Sequence, residues 1–154
     1  MATQTRHIDL PDERATQRLA QRLAPLLSVG DCLLLSGEIG AGKSFFARAV
    51  IRALTDEQTE VPSPAFTIVQ TYQTRSFEIW HCDLYRLSAP EEALELGLQE
   101  AFETAVTLIE WPDRLEGDHP SAALELTFAA QDTGHGVDLT AGQDWLERLA
   151  KIDV

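Results

Sequence analysis

The chain has 154 residues, with 25 acidic against 12 basic side chains and a formal net charge of −13. That length suits one folded domain with a real core, and that charge excludes a large electrostatic footprint for nucleic acid. No apolar run approaches the length that crosses a membrane.

The charge is unevenly spread. Residues 1–77 carry eight basic and eight acidic side chains, and residues 78–154 carry four and seventeen. The second half therefore presents an acidic surface, either solvated or facing a basic protein partner, and the first half leaves room for a local basic patch. The segment Met1-Ala2-Thr3-Gln4-Thr5-Arg6 lacks the apolar stretch of a signal peptide, so a cytoplasmic protein is expected. Cys32 and Cys82 fall in predicted strands without metal-ligand spacing and read as buried, reduced thiols.

In chain order, His7-Ile8-Asp9-Leu10 reads as a short strand. Pro11-Asp12-Glu13 opens a helix through about Leu27, with acids in its first turn where the dipole favours them and Leu19, Leu23, Leu26 and Leu27 on its apolar face. Val29-Gly30-Asp31 is a turn, and Cys32-Leu33-Leu34-Leu35 is an apolar run that reads as a buried strand. Directly after it stands Gly37-Glu38-Ile39-Gly40-Ala41-Gly42-Lys43-Ser44, which fits G-x-x-x-x-G-K-[ST], and then Phe45–Leu54 with the apolar spacing of a helix packed on a sheet. Strand, glycine loop and helix in this order make a phosphate-binding P-loop. The glycines let the backbone turn tightly and aim N–H groups at phosphate oxygens. The helix beginning at Lys43 points the positive end of its dipole at the same anion. Lys43 adds a cation for the terminal phosphates, and Ser44 offers a hydroxyl to Mg²⁺.

Thr55–Glu60 is a polar loop. Two prolines in Val61-Pro62-Ser63-Pro64-Ala65-Phe66 bar a helix and predict an extended segment, flowing into an alternating strand, Thr67–Tyr72. A loop over Gln73–Ser76 leads to the strand Phe77–Leu84, and the two strands should form an antiparallel hairpin. Ser88 is the expected N-cap of a helix that starts at Ala89 and ends at Gly97. A further helical turn or two covers Leu98 to about Glu103. Ala105–Ile109 is an apolar strand that ends on Glu110-Trp111-Pro112. Ala123–Phe128 and Gly136–Thr140 look like a final hairpin, and Asp144–Leu149 like a C-terminal helix. The expected fold class is α/β: a single P-loop domain over residues 1–154, with a mixed central β-sheet flanked by helices.

A P-loop needs a carboxylate near its Mg²⁺. Asp83 and Glu110 each stand at the end of a predicted strand, where ligands gather in an α/β sheet. They could hold the metal, one directly and one through water, or one could orient the attacking water. His81 shares a strand face with Asp83, but with no third ligand of that class it reads as a packed, hydrogen-bonded histidine.

The P-loop, Ser63-Pro64-x-Phe66-Thr67, His81-Cys82-Asp83-Leu84-Tyr85-Arg86 and Glu110-Trp111-Pro112 occur in that order. The set resembles the TsaE (YjeE) family, small bacterial ATPases of tRNA threonylcarbamoyladenosine synthesis, over nearly the whole chain. The H-x-D-L-Y-R stretch followed by E-W-P is far more specific than the P-loop. The resemblance implies ATP and Mg²⁺ binding with slow hydrolysis by the protein alone. It also implies assembly with TsaB and TsaD, which transfer a threonylcarbamoyl group to the adenosine beside the anticodon in tRNAs reading codons that begin with A. tRNA is then met through the complex rather than directly. For residues, it implies that Glu38, Ile39, Gly40, Ala41, Gly42 and Lys43 wrap the phosphates and that Ser44 and Glu110 hold the metal. Asp83 would be the Walker-B-like acid supporting metal or water, which gives catalytic roles to Lys43, Asp83 and Glu110. Trp111 resembles the family's tryptophan close to the nucleotide, although a core aromatic would fit the same place.

One position departs from the family. The usual S-P-T reads Ser63-Pro64-Ala65 here, and the lost hydroxyl resembles the switch residue of GTPases. Thr67 points the same way in an extended segment, so Thr67 or Ser63 is expected to substitute, unless the loop acts by shape alone. For the P-loop by itself the rival reading is a small-molecule kinase. Such enzymes clamp the transferring phosphate with an arginine-bearing lid, and after residue 77 the cations are only Arg86, Arg114, Arg148 and Lys151. A nucleotide-dependent binding module that barely turns over is the other alternative.

Overall fold

The strands with the most continuous apolar runs take the middle of the sheet. In the computed structural model, which describes residues 3–38 and 40–152, these are β2 (Cys32–Ser36) and β5 (Val106–Glu110), paired in parallel. Their alternate residues feed two separate apolar layers. Leu33, Leu35, Val106 and Leu108 face a core shared with Phe46 and Val50, while Cys32, Leu34 and Ile109 face a second core with Leu84, Leu98 and Phe102. A parallel sheet covered on both faces has this pattern.

Around that pair the chain lays down β1 (Gln4–Leu10), β3 (Val69–Gln73), β4 (Glu78–Asp83), β6 (Leu124–Ala130) and β7 (His135–Ala141), in the spatial order β1-β7-β6-β2-β5-β4-β3. β4 and β6 run parallel to their central neighbours, whereas the β3–β4, β6–β7 and β1–β7 pairs are antiparallel. The expected mixed sheet flanked by helices is the architecture observed, and both expected hairpins form. The helices are α1 (Glu13–Leu23), α2 (Lys43–Leu54), α3 (Pro90–Glu95), α4 (Leu98–Thr104) and α5 (Gln143–Leu149).

Several boundaries differ from the sequence reading for identifiable reasons. β1 begins at Gln4 rather than His7, because antiparallel pairing with β7 supplies ladder bonds that its polar first residues do not advertise; Thr5 and Thr140 add a hydroxyl–hydroxyl hydrogen bond of 2.9 Å. α1 starts where expected, with the Asp12 carboxylate accepting from the Ala15 N–H at 2.9 Å, and buries Thr16, Leu19, Ala20 and Leu23. It stops at Leu23 instead of Leu27. Pro25 brings no N–H to an α-helical bond, and Ala24–Leu26 tightens into a 3-10 turn. The N-cap of α3 is Ala89, not Ser88. Pro90 takes the first helical position, and the N–H of Ser88 donates to the Glu92 carboxylate at 3.0 Å, a capping-box bond displaced by one residue.

The largest correction concerns the segment before β3. It is not extended as far as Phe66: residues 64–67 form a turn, closed by the Ile68 N–H donating to the Pro64 carbonyl at 2.7 Å. Ile68 then adopts a left-handed conformation, φ +70°, and the strand begins only at Val69. The prolines do bar a helix, but the fixed φ of Pro64 suits the start of a turn equally well.

Both cysteines are buried and unbridged, and burial pushes the Cys32 thiol up to about 12, which keeps it protonated and unreactive. At the outer edge, His7 bridges Asp138 (Nδ1, 2.7 Å) and Asp9 (Nε2, 2.9 Å). The hydrogen bond to Asp138 and then that to Asp9 raise its pKa above the usual imidazole value. A raised folded pKa contributes stability that is complete below the unfolded pKa and vanishes as pH rises through the folded one. His7→Ala is therefore expected to lower the melting temperature at pH 5.5 and to have little effect at pH 9, as read by thermal unfolding at the two pH values.

Candidate nucleotide site

Register brings the strand ends together. Leu35 of β2 and Asp83 of β4 both lie opposite Glu110 of β5, so three parallel strands finish level at their carboxyl ends. The chain leaves β2 through the glycine loop and enters α2 at Lys43, with Gly42 at the N-cap in a left-handed conformation, φ +111°. Gly37, φ +132°, sits against β6. A Cβ there would lie 2.4 Å from the carbonyl oxygen of Phe128, and the Phe128 ring in turn packs on Phe46 of α2 at 5.5 Å between centroids. The P-loop is thus wedged between α2 and the last hairpin.

Lys43 is 4% exposed; its Nζ donates to the Gly37 carbonyl and lies 3.6 Å above the centroid of the Trp111 ring. Burial lowers its pKa, against the opposing pull of Glu110, Asp83 and Asp113. Ser44 Oγ donates to Glu110 Oε1 at 2.9 Å. The other oxygen of Glu110 accepts from His81 Nε2 at 2.7 Å, in a pair whose residues are 2% and 1% exposed respectively. Among the described residues His81 Nδ1 is buried without a hydrogen-bond partner. Asp83 accepts from the Tyr85 N–H at 3.1 Å through one oxygen.

A cleft of about 390 Å³ joins these groups, lined by Gly40, Gly42, Lys43, Ser44, Asp83 and Glu110, with Phe45 and Arg48 at its side. A second cleft of about 330 Å³ borders the same loop at Glu38, Gly40 and Ala41 and continues to Phe128, Ala129 and Ala130 at the end of β6. The wider groove between α1 and α2, about 780 Å³, shares Phe45 and Arg48 but contains no backbone of the glycine loop.

Of the residues named from sequence, Gly40, Gly42, Lys43, Ser44, Asp83 and Glu110 line one cleft, while Glu38 and Ala41 border its neighbour. Ile39 lies outside the described residues. Trp111 combines the two places considered for it. Its ring lies under Lys43, and it also packs on the second apolar layer. Its backbone is left-handed, φ +59°, at the turn after β5. Thr67 and Ser63 are not cleft residues: Thr67 Oγ1 accepts from Gln70 Nε2 at 2.9 Å and Ser63 Oγ from the Ala65 N–H at 3.3 Å. The turn at 64–67 removes the geometric ground for Thr67 standing in for the missing hydroxyl of Ala65. Sequence reasoning missed Arg48, one helical turn beyond Ser44 and so on the same face of α2, and it missed the direct bond from His81 to Glu110. The two-residue alternation that aligns His81 with Asp83 gives no hint that its ring reaches the neighbouring strand.

Strand, glycine loop and helix, with two acids at neighbouring parallel strand ends, define a P-loop NTPase fold. The family model described as "Threonylcarbamoyl adenosine biosynthesis protein TsaE" matches residues 10–137. The chain is 42% identical over 123 residues to the tRNA threonylcarbamoyladenosine biosynthesis protein TsaE of Rickettsia bellii, covering 80% of this chain and 85% of that one. It is 32% identical over 143 residues to the TsaE of Bacillus subtilis, covering 92% and 87%. The crystal structure of Bacillus subtilis YdiB superposes with a TM-score of 0.75 at 27% identity, over 97% of this chain and 93% of that one. The chain belongs to the TsaE family, and with it to tRNA threonylcarbamoyladenosine biosynthesis. Among the described residues no helix is long and apolar enough to cross a membrane.

The packing of Gly37 generates a test. Gly37→Ala combines an unfavourable backbone conformation with a backbone collision, and it is expected to cost about 2–3 kcal/mol. Urea unfolding checks this.

Proposed function

We propose that this chain, as one P-loop domain over residues 1–154, binds and slowly hydrolyses Mg-ATP in the cytoplasm. It would act with TsaB and TsaD in threonylcarbamoylation of the adenosine beside the anticodon of tRNAs reading codons that begin with A. The observation that carries this reading is the convergence of Lys43, Ser44, Asp83 and Glu110 on one cleft at the carboxyl ends of parallel strands.

The donor set fits the cofactor. A hydroxyl and two carboxylates are the hard oxygen ligands that Mg²⁺ takes, usually in small number and together with substrate phosphates. Ser44, Glu110 and Asp83 would hold the ion, which supplies charge neutralisation on the terminal phosphates. Backbone N–H groups from Glu38 to Lys43 bind the phosphate oxygens, reinforced by the positive end of α2. Lys43 exchanges the Gly37 carbonyl for a phosphate oxygen. Burial lowers the pKa of its ammonium, and Glu110 and Asp83 oppose that shift. Both oxygens of Glu110 are engaged, by Ser44 and by His81. Asp83 retains one oxygen without a hydrogen bond among the described residues, which makes it the acid that orients water. His81 is a positioning residue: its N–H fixes the rotamer of Glu110 and thereby the aim of Ser44. The cleft beside Phe128–Ala130 supplies room for the nucleoside.

The direct test measures phosphate release from Mg-ATP by the chain alone and then with purified TsaB and TsaD. Hydrolysis is expected to be slow alone, stimulated by the pair, and abolished in Lys43→Ala. ATP binding without stimulation or complex formation would overturn the assembly reading. Two further outcomes are expected. Asp83→Asn should abolish turnover while ATP still binds, as read by equilibrium nucleotide titration beside the hydrolysis assay. His81→Ala should raise the Mg²⁺ concentration needed for half-maximal hydrolysis by about 10- to 100-fold, the range seen when the partner of a metal-binding carboxylate is removed, and His81→Gln should recover part of the loss.

A further inference from the structure

The motif segments contain three side chains that the nucleotide chemistry leaves unused: Phe66, Tyr85 and Arg86. Phe66 and Arg86 meet at the surface, and Tyr85, also exposed, adjoins Arg86 in the chain. Phe66 is 87% exposed, more than any other large hydrophobic side chain among the described residues. Its ring lies 5.9 Å from the guanidinium of Arg86. Tyr85, 49% exposed, packs at a tilt on Trp111 with 4.9 Å between ring centroids, and Arg114 lies over the Tyr85 ring at 5.5 Å. The turn that carries Phe66 is tied to the end of β4, because the Asp83 N–H donates to the Ile68 carbonyl at 2.8 Å. Ile68, β-branched, has a left-handed φ of +70°, a conformation that persists only when its surroundings impose it. Phe66 is therefore held out in water on a fixed backbone, against the usual preference of such a ring for burial.

The charges say what the surface fits. Residues 78–154 carry four cations among seventeen acids. Arg148 is taken up by Asp31 and Asp144, at 2.6 and 2.7 Å. Arg86 and Arg114 form no ion pair within 4 Å among the described residues, and they lie over aromatic rings instead. Exposed aromatics with arginines over their rings have the composition of protein–protein hot spots. A polyanion such as RNA would meet two arginines inside an acidic half, too few for phosphate-driven affinity.

We propose that Phe66, Tyr85 and Arg86 form a docking face for a protein partner that offers an apolar socket bordered by carboxylates. The face adjoins the phosphate end of the cleft through the contacts from Tyr85 to Trp111 to Lys43, so the partner sits where bound nucleotide is sensed. The inference rests on the reading above, because the partner used to test it is the purified TsaB–TsaD pair.

The experiment measures the dissociation constant of the wild type, Phe66→Ala, Arg86→Glu and Arg86→Lys for TsaB–TsaD by calorimetry. Melting temperature and affinity for a non-hydrolysable ATP analogue serve as controls on the chain itself. Phe66→Ala and Arg86→Glu are each expected to weaken docking roughly tenfold or more, the scale of a hot-spot truncation, with analogue affinity and melting temperature unchanged. Arg86→Lys should retain most of the affinity. Wild-type binding that the two variants leave intact would overturn the docking face and spare the assembly reading. A wild type that does not bind the pair would overturn both. Loss of binding to unmodified tRNA, with TsaB–TsaD binding unchanged, would reassign the surface to RNA and overturn the protein partner.

Discussion

A carboxylate at 2% exposure is costly unless both oxygens are satisfied. Glu110 satisfies its oxygens with Ser44 on one side and His81 on the other, and so joins the first turn of α2, the end of β5 and the adjacent strand β4 in one hydrogen-bonded row. The geometry of the cleft depends on that row. It sets the rotamer of Ser44 at the mouth of the P-loop, leaves Asp83 beside it at the same level, and fixes the strand pairing that carries both acids. Lys43, almost as buried, is the compensating charge, and its ring partner Trp111 follows Glu110 directly in the chain. Burial of three ionisable groups is thus tolerable only as a set, which explains why the arrangement lies at the level end of parallel strands rather than on a loop.

Much of this was legible in the sequence because the informative features are local. Cys32–Leu35 is apolar throughout, the glycine pattern follows at once, and Phe45–Leu54 keeps helical spacing; each is decided within a few residues. Asp83 and Glu110 were recognisable as strand-end acids for the same reason. Features that depend on a partner strand were not. β1 gains its first residues from β7, His81 meets Glu110 across the β4–β5 boundary, and Trp111 serves the core and the cleft together. The turn at 64–67 misled in a different way. Proline restricts φ without choosing between an extended chain and a turn, and the choice is made by the tie between Ile68 and Asp83.

The uneven charge acquires a structural meaning once the strands are in order. Apart from Asp83 and Glu110, which line the cleft, the described acids of residues 78–154 lie outside it on helices, loops and other strand positions, whereas Arg86 and Arg114 lie over the Phe66 and Tyr85 rings. The assembly role proposed above requires something recognisable near the phosphate end of the cleft without exposure of Lys43. Ring contacts do this: Lys43 is covered by Trp111, and Tyr85, the most exposed of the three, packs on Trp111.

The contact between Gly37 and the Phe128 carbonyl also bears on synthesis. The motif that names a P-loop is complete by Ser44, yet the wall that shapes its first turn belongs to the β6–β7 hairpin, made much later in the chain. A nascent chain still short of β6 would carry the full phosphate-binding signature on an unsupported loop. On the function proposed above, phosphate binding therefore waits for β6, and the first nucleotide bound meets a loop that already has its wall.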